Sequence, residues 1–174
     1  MGSYCYNGMF ANCTKLTSAP ELPAKRLESN CYNCMFEGCT SLTSAPELPA
    51  TYLVRECYHS MFNGCTSLAS APKLPATTLE WGCYSEMFQG CTSLTSAPEL
   101  PAKELIRNCY QLMFKDCSKL RYVKALFTTS PSEETTKDWL SGVAASGKFI
   151  KSKKATWDGT SAHGVPEGWK IETW

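Results

Sequence analysis

Apolar and polar positions along this chain follow two patterns that recur together. In the stretch 83–91, CYSEMFQGC, the apolar residues Cys83, Met87 and Cys91 return at every fourth position, each of the first two followed by an aromatic, Tyr84 or Phe88. At about 100° per residue these five fall on one side, while Ser85, Glu86 and Gln89 fall elsewhere. That predicts a short amphipathic helical turn with its apolar face inward. The second pattern is TSLTSAPELP, as at 40–49, whose apolar residues are Leu42, Ala45 and Leu48. It predicts a short strand near 42–45, bent or bulged at Pro46 because proline removes a ladder donor, and ended by Pro49.

Both patterns repeat with a period of 26 residues: Cys5, Cys31, Cys57, Cys83 and Cys109 form one series, and Cys13, Cys39, Cys65, Cys91 and Cys117 a second. The unit C-Y-x-x-M-F-x-x-C-[TS]-[SK]-L-x-x-A-P-x-L-P-A recurs almost five times between residues 5 and about 127. The position before the second cysteine is Asn12, Gly38, Gly64, Gly90 or Asp116. These residue types tolerate positive φ, so a left-handed helix C-cap is expected there. A fixed period of this length means stacked supersecondary units, none of which buries its apolar face alone, and it lies within the leucine-rich-repeat range. The fold class expected is therefore α/β: a leucine-rich-repeat solenoid, with one short parallel strand and one helical turn per right-handed coil.

The pattern changes at Leu120. SKLRYVKALF replaces TSLTSAPELP, and Lys124 takes the proline position, so a stronger strand is expected around Tyr122, Val123 and Phe127. SPSEETTKDWLSGVAASG reads as a helix, with Ser130 or Ser132 as N-cap, Glu133 and Glu134 in the first turn, and Gly147 as its stop. Its apolar face would be Trp139, Leu140 and Val143. KFIKSKKATW and GWKIETW read as strands, with DG at 158–159 and PEG at 166–168 as turns. The expected division is a repeat domain over 1–127 and a C-terminal α+β cap over 128–174. No comparable cap precedes Cys5, and the chain begins inside a repeat. A piece of a longer protein, or self-association at the uncapped first coil, would account for that.

Composition narrows the function classes. With 17 basic and 16 acidic residues among 174, no basic stripe exists for a phosphate backbone, so nucleic acid is not an expected partner. No apolar run is long enough to span a membrane, and the start MGSYCYNGMF has neither part of a signal peptide.

The residues GCTSLTS, following an aromatic in MF, resemble the bacterial surface leucine-rich repeats of the BspA-like type, whose usual unit reads AFxGCTSLTSIxIP at a shorter period. The resemblance covers about 5–127; the variant CYxxMFxGCTSLTSAPELPA is similar to those of gut Bacteroidales-type bacteria, and GVPEGWKI is similar to segments that follow such repeats. The chain departs from the usual unit in having Met35, Met61 and Met87 where a small residue is expected, and an added residue around Pro46, Pro72 and Pro98. The resemblance implies a cell-surface or secreted adhesion module that recognises host or neighbouring-cell proteins or glycans. A spacer or stalk in a larger surface or phage-tail protein is the alternative.

Eleven cysteines invite a disulfide or metal reading. Cysteines eight apart on one helical face would lie roughly 12 Å apart along the axis, too far to bridge. The period explains ten of the eleven as buried, reduced thiols packing as small apolar groups. Cys31-x2-Cys34 has no second CxxC, and Cys34 falls in a variable column with Gly8, Ser60, Glu86 and Leu112, so no metal and no cofactor are expected. His59 falls in a solvent-facing column, His163 in a loop, and Glu21, Glu47 and Glu99 form a charge ladder with Lys73. No nucleophile elbow or phosphate loop is present, so no catalytic residue is expected. Specificity would then lie in columns that vary. One reads Ser29, Arg55, Trp81, Arg107, with Tyr52, Val54 and Ile106 nearby; an exposed Trp flanked by Arg is a hot-spot composition, unless Trp81 lies flat over the neighbouring coil. Arg121 and Tyr122 form a second candidate patch.

Overall fold

In the computed structural model, which describes residues 2–157, 159 and 163–174, residues 26 apart in sequence lie side by side. Single parallel bridges join Ser18 to Ser44, Ser44 to Ser70 and Tyr52 to Thr78. The same register stacks the rings. Phe10, Phe36, Phe62, Phe88 and Phe114 form a column with centroids 5.5–5.6 Å apart. Tyr6, Tyr32, Tyr58, Tyr84 and Tyr110 form another at 5.6–6.1 Å. Columns of Met and Cys flank the rings, and from Cys31 onward they are buried. Each ring removed from water contributes about 1.5–3 kcal/mol, so the two aromatic columns supply much of the core.

The stretch expected to be a helical turn is not a helix. It is left-handed at every fourth residue: Asn30, Cys34 and Gly38 have φ of 59°, 53° and 70°, and Asn108, Leu112 and Asp116 have 57°, 55° and 61°; in the first two repeats Tyr6 and Tyr32 are left-handed as well, at 62° and 63°. The result is a ribbon of overlapping turns. Asn33, Met35 and Glu37 donate their N–H groups back to the carbonyls of Asn30, Tyr32 and Cys34. The N–H groups between them point at the next repeat, where Cys34, Phe36 and Gly38 donate to His59, Met61 and Asn63 at 2.9, 2.9 and 2.7 Å. An α-helix would turn the donors beyond its first four residues inward and leave the repeats joined mainly by side chains. The ribbon joins them by backbone. Its period of four also keeps Cys31, Met35 and Cys39 on one line, whereas a helix would rotate each successive member by about 40°.

The left-handed backbone expected before the second cysteine is present at all five positions, with φ between 61° and 73°. It ends a ribbon and not a helix. Two further columns are left-handed: Asn30, Glu56, Gly82 and Asn108 form one, in which Asn and Gly recur, and the other was not legible in the sequence because ordinary side chains occupy most of it. Ser60, Glu86 and Leu112 hold φ of 51°, 59° and 55°, at a cost of roughly 1–2 kcal/mol per residue. Each donates to the next repeat in return, Ser60 to Ser85 and Glu86 to Gln111.

The strand expected in each repeat is reduced to a single bridge at Ser18, Ser44, Ser70 and Ser96. The proline two residues on has no N–H to continue a ladder. Where Lys124 replaces it, a full strand forms: β1, Tyr122–Ala125. Beyond β1 lie α1 (Glu133–Thr136), β2 (Lys148–Lys151) and β3 (Lys170–Thr173), and the three strands form one parallel sheet in the order β1-β2-β3.

The helix expected over the segment after Ser130 is confined to α1. Ser132 caps it, its N–H donating to the Thr135 hydroxyl at 3.1 Å. The chain then returns to the ribbon: Asp138 and Gly142 are left-handed, and Leu112, Phe114 and Asp116 donate to Lys137, Trp139 and Ser141. Tyr122 of β1 pairs with Lys148 of β2, again 26 residues on. Stacking therefore runs through residue 127, where the composition changes. Trp139 occupies the Met column and Leu140 the Phe column, both buried, while Val143 is half-buried. The Trp139 indole lies 6.2 Å from Tyr110 and 6.5 Å from Phe114, covering both ring columns at once.

Gly147 is not a helix stop. A Cβ there would come within 2.7 Å of the Arg121 carbonyl and the Trp169 ring, so the residue lets the chain pass between them. The strands expected over KFIKSKKATW and GWKIETW shorten to β2 and β3. The 166–168 turn is present, closed by Trp169 N–H on the Pro166 carbonyl. Asp158 of the other expected turn lies outside the described residues.

Candidate interaction surface

The segment between the prolines and the ribbon carries the first candidate patch. Tyr52, 57% exposed, sits at the bridge to Thr78. The Arg55 guanidinium stacks 4.4 Å above the Trp81 ring, and its Nε lies 3.7 Å from the Glu56 carboxylate. Trp81 is consequently half-buried. Part of the apolar face that a partner would need is already covered by Arg55, at a gain of about 0.5–1 kcal/mol. Arg107 is exposed one repeat further on, its carbonyl accepting the Gly82 N–H. Tyr52, Arg55, Trp81 and Arg107 thus lie on adjoining repeats. Arg121 and Tyr122 belong to the bridge-bearing side: Arg121 is exposed and donates its N–H to Thr95, and Tyr122, half-buried in β1, is bridged to Ser96.

Two adjoining grooves lie along the prolines. One groove of about 360 Å³ is lined by Pro20, Leu22, Pro23, Pro46, Glu47 and Pro49; the next, of about 310 Å³, shares Pro46, Glu47 and Pro49 and adds Pro72, Lys73 and Pro75. Further along, a groove of about 480 Å³ at Thr77, Thr78, Pro101 and Ile106 shares Lys103 and Glu104 with one of about 560 Å³ lined by Leu126, Thr128, Ser152, Lys153, Lys154 and Trp174. Trp174 is 66% exposed, with Lys124 Nζ 4.0 Å over its ring; the same ammonium lies 2.8 Å from Glu99. Proline rings form much of the walls of the first two grooves, whereas the last is lined by long polar side chains and Trp174. Sequence reading missed this last groove. The available signals were the basic run KSKK at 151–154 and the Trp at 174, but which repeat they meet is a matter of tertiary folding.

All eleven cysteines are free thiols. Cys5 and Cys13 belong to the periodic columns yet are half-buried and exposed, because the first repeat has a neighbour on one side only. Cys39, Cys65, Cys91 and Cys117 donate their S–H to the carbonyls of Phe10, Phe36, Phe62 and Phe88 at 3.0–3.2 Å. Burial pushes the thiols of Cys57, Cys65, Cys109 and Cys117 up to about 12. Half-buried Cys34 is also raised to about 12, by desolvation first and then by the Glu37 carboxylate, so it is a poor nucleophile. His59 is half-buried, contrary to the solvent-facing expectation; its Nε2 lies 3.8 Å from Glu86, whose other oxygen accepts the Ser60 hydroxyl at 3.2 Å. His163 is tied in by its carbonyl, which accepts the Thr136 hydroxyl. The charge ladder resolves into one contact, Glu99 with Lys124. Among the described residues, no three His, Cys, Asp or Glu side chains converge for a metal, and no helix is long and apolar enough to cross a membrane.

No family model, no curated protein and no solved structure matches this chain.

Proposed function

We propose that the chain is a leucine-rich-repeat solenoid of the BspA-like kind and works as a non-enzymatic binding module, at a cell surface or secreted, for a protein or glycan partner. The observation that carries this reading is the row of adjoining grooves that ends in the one joining exposed Trp174 to Lys103, Lys153 and Lys154. An aromatic face beside ammonium and hydroxyl groups suits an extended polar ligand such as an acidic glycan or peptide. The Arg55–Trp81 stack lies outside that row, and we assign it to packing between repeats.

The spacer reading has one observation in its favour: the backbone bonds between repeats form a continuous, stiff stack. A binding screen separates the two. Wild-type protein is passed over immobilised matrix proteins and an array of neutral and acidic glycans, beside Lys153→Glu/Lys154→Glu/Trp174→Ala and Arg55→Ala/Trp81→Ala. The expected result is retention of wild type, at least tenfold weaker retention of the first variant and little change in the second. Loss confined to the second variant would move the site to the arginine–tryptophan patch. No retention of wild type on any surface would favour the spacer.

A further inference from the structure

Outside the first repeat, the exposed large apolar side chains among the described residues are Tyr52, Ile106 and Trp174, at 57%, 38% and 66%. All three border one continuous surface. Ile106 lines the groove at Thr77 and Thr78, Trp174 lines the groove at Thr128 and Lys154, and the two grooves share Lys103 and Glu104. Tyr52 is bridged to Thr78. Tyr52, Thr78 and Glu104 hold one position in three successive repeats, and Thr128 and Lys154 hold another, again 26 residues apart. The surface is therefore a track along the flank of the stack, crossing repeats at steps of about 4.8 Å, the spacing of bridged strands.

Two features narrow its occupant. Main-chain groups around the Trp174 end are already used. Thr128 N–H donates to the Lys103 carbonyl at 2.8 Å, Lys153 N–H to the Trp174 carbonyl at 3.0 Å, and Trp174 N–H to the Lys151 carbonyl at 3.0 Å. Lys154 N–H donates to the Ser152 hydroxyl at 3.2 Å. A peptide that binds by adding a strand needs a free edge of such groups, so rings, hydroxyls and ammonium groups are left to carry recognition. The second feature is charge: Lys103, Lys153 and Lys154 share their groove with one carboxylate, Glu104. That modest excess matches carboxylates spaced along a chain, whereas a multiply sulfated sugar would bring more anions than there are ammonium groups.

We infer that the track holds a linear polysaccharide containing uronic acid sugars, laid along the stack axis. Its carboxylates meet the lysines, and its sugar CH faces lie on Trp174, Ile106 and Tyr52. Lys124 Nζ covers one face of the Trp174 ring at 4.0 Å, which leaves the other for a sugar. This assignment rests on the binding-module reading above and names its ligand.

The test measures binding of fluorescein-labelled galacturonate and hyaluronan oligosaccharides to the full chain by fluorescence anisotropy. A ligand that spans the track gains from length, so an octasaccharide of at least one type should bind at least tenfold more tightly than its disaccharide. Methyl esterification of its carboxylates should weaken it at least tenfold. Tyr52→Ala, which removes an exposed ring and should leave Tm unchanged, should cut the advantage of the octasaccharide at least threefold. Binding of neither octasaccharide would overturn the inference. So would equal binding of the methyl ester, or a length advantage that Tyr52→Ala leaves intact. An eight-residue glutamate peptide separates this failure from that of the wider reading. If only the peptide binds, and Lys153→Glu/Lys154→Glu/Trp174→Ala abolishes its binding, the glycan inference falls and the binding module stands. If no probe binds and the immobilised screen retains nothing, both fall.

Discussion

Removing the hydroxyl of Tyr110 should make the protein more stable. Tyr110 is fully buried, and its hydroxyl finds no hydrogen-bond partner among the described residues. Desolvation raises its pKa well above the ordinary tyrosine value, so the group is neutral and its only cost is the unmade hydrogen bond. A buried unsatisfied polar group costs about 1–3 kcal/mol. Tyr110→Phe keeps the ring stacked on Tyr84 at 6.0 Å and on Trp139 at 6.2 Å. The space vacated by one oxygen, roughly 10–15 Å³, costs only about 0.3 kcal/mol as a cavity. Relief of desolvation therefore wins, with a net gain of about 1–2 kcal/mol. In a chain of this size that raises Tm by about 2–8 °C. Thermal unfolding followed by circular dichroism reads it directly, with exposed Tyr6→Phe as the control that should not move. A fall in Tm of more than about 2 °C for Tyr110→Phe, with Tyr6→Phe unchanged, would refute the packing argument. Tyr58→Phe, where the hydroxyl is likewise buried without a partner, should behave in the same way.

Alkaline pH should unfold the protein through its thiols. Cys57, Cys65, Cys109 and Cys117 are held at about 12 in the fold against 9.0 in the reference state, so above pH 9 the unfolded chain binds fewer protons than the folded one. Stability then falls from pH 9 towards 12; a denaturation midpoint that is flat across this range would contradict the assigned burial. Thiol titration in denaturant should count eleven free groups, and a value below nine would show that bridges exist. Gly90→Ala should cost about 1 kcal/mol by urea unfolding, since φ is 70° but a Cβ would meet nothing closer than 3.7 Å. Gly147→Ala should cost more than Gly90→Ala, because its Cβ would strike the Arg121 carbonyl and the Trp169 ring; equal costs would refute the close-approach argument.

The sequence by itself determined the register. A 26-residue period written in Cys, Tyr, Met and Phe fixes which residues stack, because a forward shift of one or two residues would set the Tyr ring against Ser85 or Glu86. It also marked the left-handed position at Gly38, Gly64 and Gly90, where residue type and backbone agree, and β1 at the one repeat where Lys124 replaces proline. The conformation between these landmarks was decided by the stack. Apolar residues four apart are compatible with a helix, but a helix would use most of its N–H groups internally, whereas the following repeat offers carbonyls to about half of them. That exchange places Ser60, Glu86 and Leu112 in a backbone region their side chains do not announce. It also draws residues 137–142 into the ribbon, though Trp139 and Leu140 look like a helix face when read alone. The candidate site followed the same division. Arg55, Trp81 and Arg107 were legible as a varying column with Tyr52 nearby, but only packing set Arg55 over Trp81. Only the folding of the last strands set Trp174, Lys153 and Lys154 beside Lys103, because surfaces formed by residues distant in the chain are fixed by long-range contacts and not by local pattern.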